Sequence, residues 1–263
     1  GALTIGRTPP AQSKNFIAIS LDPFSDYSHI LSGIDIVVHV AARVHVMNEE
    51  AEDSLSEYRN INTLGTLNLA EQAINSGIKR FIFISSIKVL GEQTEKGQPF
   101  TNSNLLNPQD AYSMSKAEAE TGLLKLAKKS NMEVVIIRPP LVYGKGVKGN
   151  FDKLLKLTAG QFPLPLGSIN NKRSLVSIEN LVDLICICLE HLKAGNQTFL
   201  VSDDCDLSTP DLLTLIARGG GYKSRLVKFP TVLLSIMLFC IGKSAIYQRL
   251  CGSMQVDIAH TKN

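Results

Sequence analysis

The sequence predicts an α/β fold: a doubly wound parallel sheet followed by a smaller C-terminal lobe. Apolar runs alternate with amphipathic stretches through the first two thirds of the chain, the pattern of strand–helix–strand units. The runs at 34–40, 81–85 and 133–138 are almost unbroken in apolar character, as strands covered on both faces are. From Gly144 onward, Gly, Pro and Asn punctuate shorter elements, which marks a second lobe.

In chain order, Leu3-Thr-Ile5 and Ile17-Ala-Ile19 read as short strands and residues 25–31 as a short helix. Ile34-Asp-Ile-Val-Val-His-Val40 is a buried strand. Residues 54–76 follow as a helix stopped by Gly77, a C-terminal glycine cap. The 81–85 strand ends in two hydroxyls, Ser85 and Ser86, before a polar loop that runs through Gln109. A helix then carries Tyr112, and 133–138 forms another buried strand broken by Pro139-Pro140. We place the main domain at 1–143 and the lobe at 144–263, with 174–192, including a helix from 178, returning to the main domain.

The 263 residues carry a net charge of +3 spread thinly, so nucleic-acid binding has no electrostatic footprint. Five cysteines (186, 188, 205, 240, 251) form no Cys-x-x-Cys pair and have no histidine ligand set nearby. They read as reduced thiols of a cytoplasmic protein without a metal centre, with Cys186 and Cys188 packed in an apolar helix. Gly1-Ala-Leu-Thr-Ile lacks the charged start of a signal peptide. The run 232–241 is too short to cross a bilayer, which takes about 20 residues, and reads as a buried or interface helix, with loose membrane association as the alternative.

Tyr112 and Lys116, in Asp110-Ala-Tyr-Ser-Met-Ser-Lys116, carry the chemistry. Four residues apart on a helix, they share one face. A phenol with an ordinary pKa of about 10 is a poor base, and a neighbouring cation favours its phenolate. Such a tyrosine takes a proton from a hydroxyl while hydride leaves the same carbon. Ser85 and Ser86 stand where ligands sit in doubly wound folds, outside the carboxyl ends of the strands.

Strand, serine and Tyr/Lys helix in this order resemble the extended short-chain dehydrogenase/reductases, specifically their nucleotide-sugar epimerases and reductases. That resemblance implies a Rossmann-like dinucleotide-binding domain and a substrate lobe. It implies catalysis by Ser86, Tyr112 and Lys116, with Ser86 five residues before Gly91 as the family spaces it. It implies that His39-Val40-Ala41-Ala42 lines the cofactor, with His39 packing the strand end, and that Asn62 and Ser85 contribute. Arg138-Pro139-Pro140-Leu141-Val142-Tyr143-Gly144 is similar to the loop over the nicotinamide, which places Pro139 and Val142 at the cofactor. Asp22 matches the residue that meets the adenine amine. Asn150 and Arg173 fall where the family holds the sugar and the nucleotide diphosphate, a task that suits the planar guanidinium fork.

The implied activity is epimerisation at C4 of a UDP-hexose or UDP-N-acetylhexosamine through a 4-keto intermediate. The alternatives are a 4-keto reductase of a UDP-linked deoxysugar and a non-catalytic nucleotide-binding scaffold. A 4,6-dehydratase is disfavoured, since such relatives follow the catalytic hydroxyl with Asp-Glu and this chain has Ile87-Lys88. Arg7, where NAD-preferring members place an acid, suits a 2′-phosphate, so the cofactor reading is NAD or NADP. The family commonly pairs through the helices of Asn62 and Tyr112, which implies a homodimer. The family's opening strand and Gly-x-x-Gly-x-x-Gly turn have no counterpart here, and we expect a truncated or discontinuous version of a longer chain. Without that strand the sheet is expected in two pieces with unpaired backbone groups.

Overall fold

The computed structural model describes residues 2–9, 15–44, 54–146 and 150–262. The chain divides into two compact units, one of 1–89, 106–138 and 184–199, the other of 90–105, 139–183 and 200–263.

In the first unit β1 (Thr4–Gly6) pairs in parallel with β2 (Phe16–Ala18). A separate sheet has the order β3 (Ile36–His39), β4 (Arg80–Ile84), β5 (Glu133–Arg138) and β8 (Thr198–Leu200). β3, β4 and β5 are parallel. Parallel neighbours need crossovers, and the helical segments before β4 and before β5 supply them. The sheet thus lies in two pieces, as expected. The 34–40 run was expected to be buried on both faces. Its strand instead shortens to 36–39 and leaves Val38 37% exposed, because among the described residues β3 pairs only with β4.

Residues at period two along β4 and β5 share a face. Phe81, Phe83, Val134 and Ile136 therefore pack together, against Leu69, Ala70 and Ala73 of α3 (Thr66–Asn75) and Ala119 and Leu123 of α4 (Ala111–Ala127). Ile82, Val135 and Ile137, on the opposite face, are also fully buried, which explains the unbroken apolar runs. Arg80 starts β4 yet is buried. Its Nη1 donates to the carbonyls of Cys188, Leu189 and His191, and its Nη2 pairs with Glu133 at 2.6 Å. It caps the end of α6 (Ile178–Glu190), where a cation also suits the helix dipole.

The helix expected at 54–76 is interrupted. α2 (Ser54–Tyr58) passes into a π-helical segment, Arg59–Gly65, before α3 resumes, and Gly77 at φ +77° ends it as expected. π segments are rare and cluster at functional sites. This one turns Asn62 and Thr63 toward α4.

The second unit holds the parallel pair β6 (Leu141–Tyr143) and β7 (Leu175–Ser177). Phe151 of α5 (Asn150–Ala159), Leu175 of β7 and Leu212 of α7 (Thr209–Gly219) form one cluster. Leu234 of α8 (Thr231–Cys240) and Leu250 of α9 (Ser244–Cys251) join another around Leu166, Ile169 and Leu213. A short α10 (Ala259–Lys262) follows. Two expectations need correction. Of the two readings of the 232–241 run, a buried or an interface helix, the buried one fails: Leu234 is covered, while Val232, Leu233, Ile236, Met237 and Phe239 face outward. Cys186 is exposed, and only Cys188 of that pair behaves as a small core hydrophobe.

Candidate active site

α4 is positioned by its first turn. Asp110 is the N-cap, accepting from the Ser113 amide at 2.7 Å, while the Ser113 hydroxyl accepts from the Asp110 amide at 3.1 Å. This reciprocal capping box satisfies two donors that the helix leaves unpaired. Burial opposes ionisation of the Asp110 carboxyl, but Lys88, at 2.7 Å, and the Ser113 amide outweigh it and hold the group at about 2. Lys88 lies two residues after Ser86, so this ion pair ties the serine turn to the start of the tyrosine helix. Ser113→Ala, which removes the reciprocal half of the box and leaves the Asp110 cap, is expected to cost about 1 kcal/mol of stability by urea denaturation, typical of one lost hydrogen bond.

Lys116 makes the second tie. Its ammonium, on a side chain almost wholly buried, lies over the Phe83 ring of β4, 4.0 Å from the centroid. A cation over an aromatic face is attracted to the ring quadrupole. Phe83 is two residues before Ser85, whose buried hydroxyl has no hydrogen-bond partner among the described residues. Ser86 is partly exposed, and its oxygen accepts from the Lys88 amide at 3.3 Å. The strand-end serines and the Tyr112–Lys116 face thus come together at one end of the sheet.

The electrostatics differ from the sequence expectation. Tyr112 stacks edge-on against Tyr58, with centroids 6.2 Å apart. Burial, then the charges of Asp110 and Tyr58, push its phenol up to about 12. Burial pushes the Lys116 ammonium down to about 7, with Glu120 partly opposing. The expected phenolate primed by a lysine is therefore absent from the protein alone: in a desolvated site each group favours its neutral form.

Asn62 is buried and acts as a clamp. Its Oδ1 accepts from the Arg43 amide at 2.7 Å, and its Nδ2 donates to the Arg43 carbonyl and to Ser115 Oγ. It fixes the chain just after Val40-Ala41-Ala42 to α4 at Ser115, one residue before Lys116. Thr63 adds a bond to the Ser115 carbonyl, and Arg59 pairs with Glu118. His39 is buried between Phe81 and Phe83, with Nε2 2.9 Å from Thr66 Oγ1. Burial and Lys116 push it down to about 3, so it is neutral packing at the strand end.

Sequence reasoning passed over the buried pair Arg138–Glu120. Arg138 Nε and Nη2 donate to the two Glu120 oxygens at 3.0 and 2.6 Å. The signal was available: Glu120 follows Lys116 by four residues and so shares its helical face. The pair fixes the end of β5 to α4 and sets a negative charge one turn from the lysine.

Asp22 accepts from the Phe24 amide and Ser25 Oγ, and those bonds hold its carboxyl below the usual range. It organises a turn. Arg7 is exposed just past β1. Pro139, Val142, Asn150 and Arg173 belong to the second unit. Asn150 begins α5, and its side chain lies outside the described residues. Arg173 donates through Nη1 to the carbonyls of Arg249 and Gly252 at the end of α9. Among the described residues no His, Cys, Asp or Glu cluster is set to hold a metal.

The orphaned Ser85 hydroxyl and the Lys116 ammonium, which hydrogen-bonds to no described residue, fit a ligand rich in hydroxyl and amide groups. A ribose–nicotinamide end of a dinucleotide supplies such groups.

Comparison with known proteins agrees. Residues 4–202 match the NAD dependent epimerase/dehydratase family. The chain is 52% identical over 246 residues to the UDP-glucose 4-epimerase of Vibrio cholerae, covering 90% of this chain and 73% of that one. It is 29% identical over 241 residues to the N-acetyl-alpha-D-glucosaminyl-diphospho-ditrans,octacis-undecaprenol 4-epimerase of Escherichia coli, covering 86% and 71%. Its fold resembles the UDP-glucuronic acid 4-epimerase of Bacillus cereus solved with NAD, at TM-score 0.72, 20% identity and coverage of 95% and 74%.

Proposed function

The chain belongs to the NAD dependent epimerase/dehydratase family, and from that premise we propose that it is an NAD-dependent epimerase at C4 of a UDP-hexose or UDP-N-acetylhexosamine, working through a 4-keto sugar. The observation that carries this reading is the double tie, Lys116 to Phe83 and Asp110 to Lys88, which sets the Tyr112–Lys116 face against Ser85 and Ser86. The 52% identity to a UDP-glucose 4-epimerase supports the substrate class.

In this reading Tyr112 exchanges a proton with the sugar 4-oxygen and Ser86 hydrogen-bonds the same oxygen. Lys116 and Ser85 hold the cofactor ribose and carboxamide, and Asn62 keeps the Val40–Ala42 loop in place beneath them. Bound NAD supplies the hydride acceptor at C4 and, when oxidised, a positive charge that favours the Tyr112 phenolate. With its phenol held near 12, the protein alone is set as a proton donor. The first unit is the dinucleotide domain and the second the substrate lobe, with Asn150 and Arg173 on the nucleotide sugar and Pro139 and Val142 toward the nicotinamide. The setting is cytoplasmic, where nucleotide sugars and NAD are available. Leu64, Met114 and Leu124, exposed on the helices of Asn62 and Tyr112, support a homodimer through that face, which sedimentation equilibrium tests.

The chain with NAD and UDP-galactose, or UDP-N-acetylgalactosamine, is expected to yield the gluco epimer in proton NMR without net change in NADH. Stoichiometric accumulation of NADH and a 4-keto sugar would favour a 4-keto reductase running in reverse, and no turnover on any UDP-sugar would overturn the proposal.

A further inference from the structure

The charge and the exposed apolar surface of this chain are both concentrated in one stretch. Residues 212–256 contain six Lys and Arg (Arg218, Lys223, Arg225, Lys228, Lys243, Arg249) and no Asp or Glu. The rest of the chain carries 21 basic residues against 24 acidic ones, so the net positive charge resides here. All six side chains are exposed, and among the described residues none forms an ion pair.

α8 lies between Lys228 and Lys243. At ~100° per residue, Phe239, Val232, Ile236, Cys240, Leu233 and Met237 fall on one continuous arc, while Leu234 and Leu238 point to the opposite side. The structure follows this division: Leu234 and Leu238 enter the core cluster, whereas the arc is exposed, Phe239 by 75% and Val232 by 69%. Phe162, 73% exposed, is carried beside the same basic segment, since Leu164 bridges Leu226 and its amide donates to the Arg225 carbonyl. A large apolar helix face left in water signals an interaction site.

We infer that α8 and its basic flanks are a docking surface for an anionic lipid bilayer. Cations bordering an outward apolar face suit phosphate headgroups above acyl chains, the geometry of helices that lie in the membrane interface. No helix among the described residues is long and apolar enough to cross a membrane, so attachment is peripheral. A second copy of the chain is disfavoured as the occupant, because it brings the same six cations to the interface. The inference is independent of the catalytic reading, as no residue assigned to catalysis lies on α8.

Flotation of the chain with vesicles tests it. With phosphatidylcholine vesicles containing phosphatidylglycerol the chain floats, and with pure phosphatidylcholine binding falls tenfold or more. Lys228→Gln/Lys243→Gln lowers partitioning by about fivefold or more per charge removed, and Ile236→Ser/Phe239→Ser by tenfold or more, with turnover on soluble UDP-sugar unchanged. The chain has no tryptophan, so Phe239→Trp supplies a single indole whose emission shifts to the blue on insertion. Equal binding to both vesicle types, no binding, an unshifted indole, or an Ile236→Ser/Phe239→Ser variant that only dissociates an oligomer overturns the inference.

Discussion

Tyr112→Phe lowers turnover by roughly 10²–10⁴-fold, the range of a lost general acid–base group, and leaves the fold and NAD binding intact. The substitution removes one oxygen and keeps the ring, so the edge contact with Tyr58 and the packing of α4 persist. Three described titratable neighbours are unsuited to take over the proton. His39 is buried, held down to about 3 and bonded to Thr66. Asp110 is held at about 2 by Lys88 and the Ser113 amide against its burial, so it is ionised and occupied. Lys116 is directed at the Phe83 ring. The measurement is kcat by NMR on the UDP-sugar that the native chain converts, with NAD affinity determined in parallel. Unchanged turnover would remove Tyr112 from the reaction, and loss of NAD binding would show that the effect is structural.

Much of this site was legible in the sequence because its parts are local. Tyr112 and Lys116 share a helix face by spacing alone, and Ser85 and Ser86 end an apolar run that has no choice but to be a central strand. Asn62 was recognised only through resemblance, since its partners, the Arg43 backbone and Ser115, are distant in sequence. The π-helical segment that aims it was invisible, because a π turn changes which residues face α4 without altering the hydrophobic period enough to register. The electrostatics were misread for a related reason. Spacing shows that a lysine shares the phenol's helix face, but not that both are desolvated, and burial is the largest cause of both shifts here. The same limit applied to α8. An apolar decapeptide reads as a buried or interface helix, whereas which of its faces meets a core depends on the cluster around Leu166 and Leu213, assembled from residues far apart in the chain.

Lys116→Met raises the stability of the protein without cofactor by about 2–4 kcal/mol near pH 6 while abolishing most activity. The native lysine is a liability to folding: its ammonium falls from the usual 10.5 to about 7, chiefly through burial, with Glu120 recovering only part. Below pH 7 the group is charged in both states and the folded chain carries the full cost of burying that charge. Between about pH 7 and 10.5 the unfolded chain retains a proton that the folded chain has released, so native stability climbs with pH. Above that window the cost has vanished. Methionine has similar length, keeps contact with the Phe83 ring and has no charge to bury. The gap between variant and native protein should therefore be widest at pH 6 and close steadily toward pH 10, as read from urea denaturation at each pH. A variant less stable than the native chain, or a gap that does not change with pH, would mean that the ammonium is well solvated in the folded state. Such a lysine would not be held in reserve for the hydroxyls of a bound ribose, and stability given up at Lys116 is what the proposed catalytic role requires.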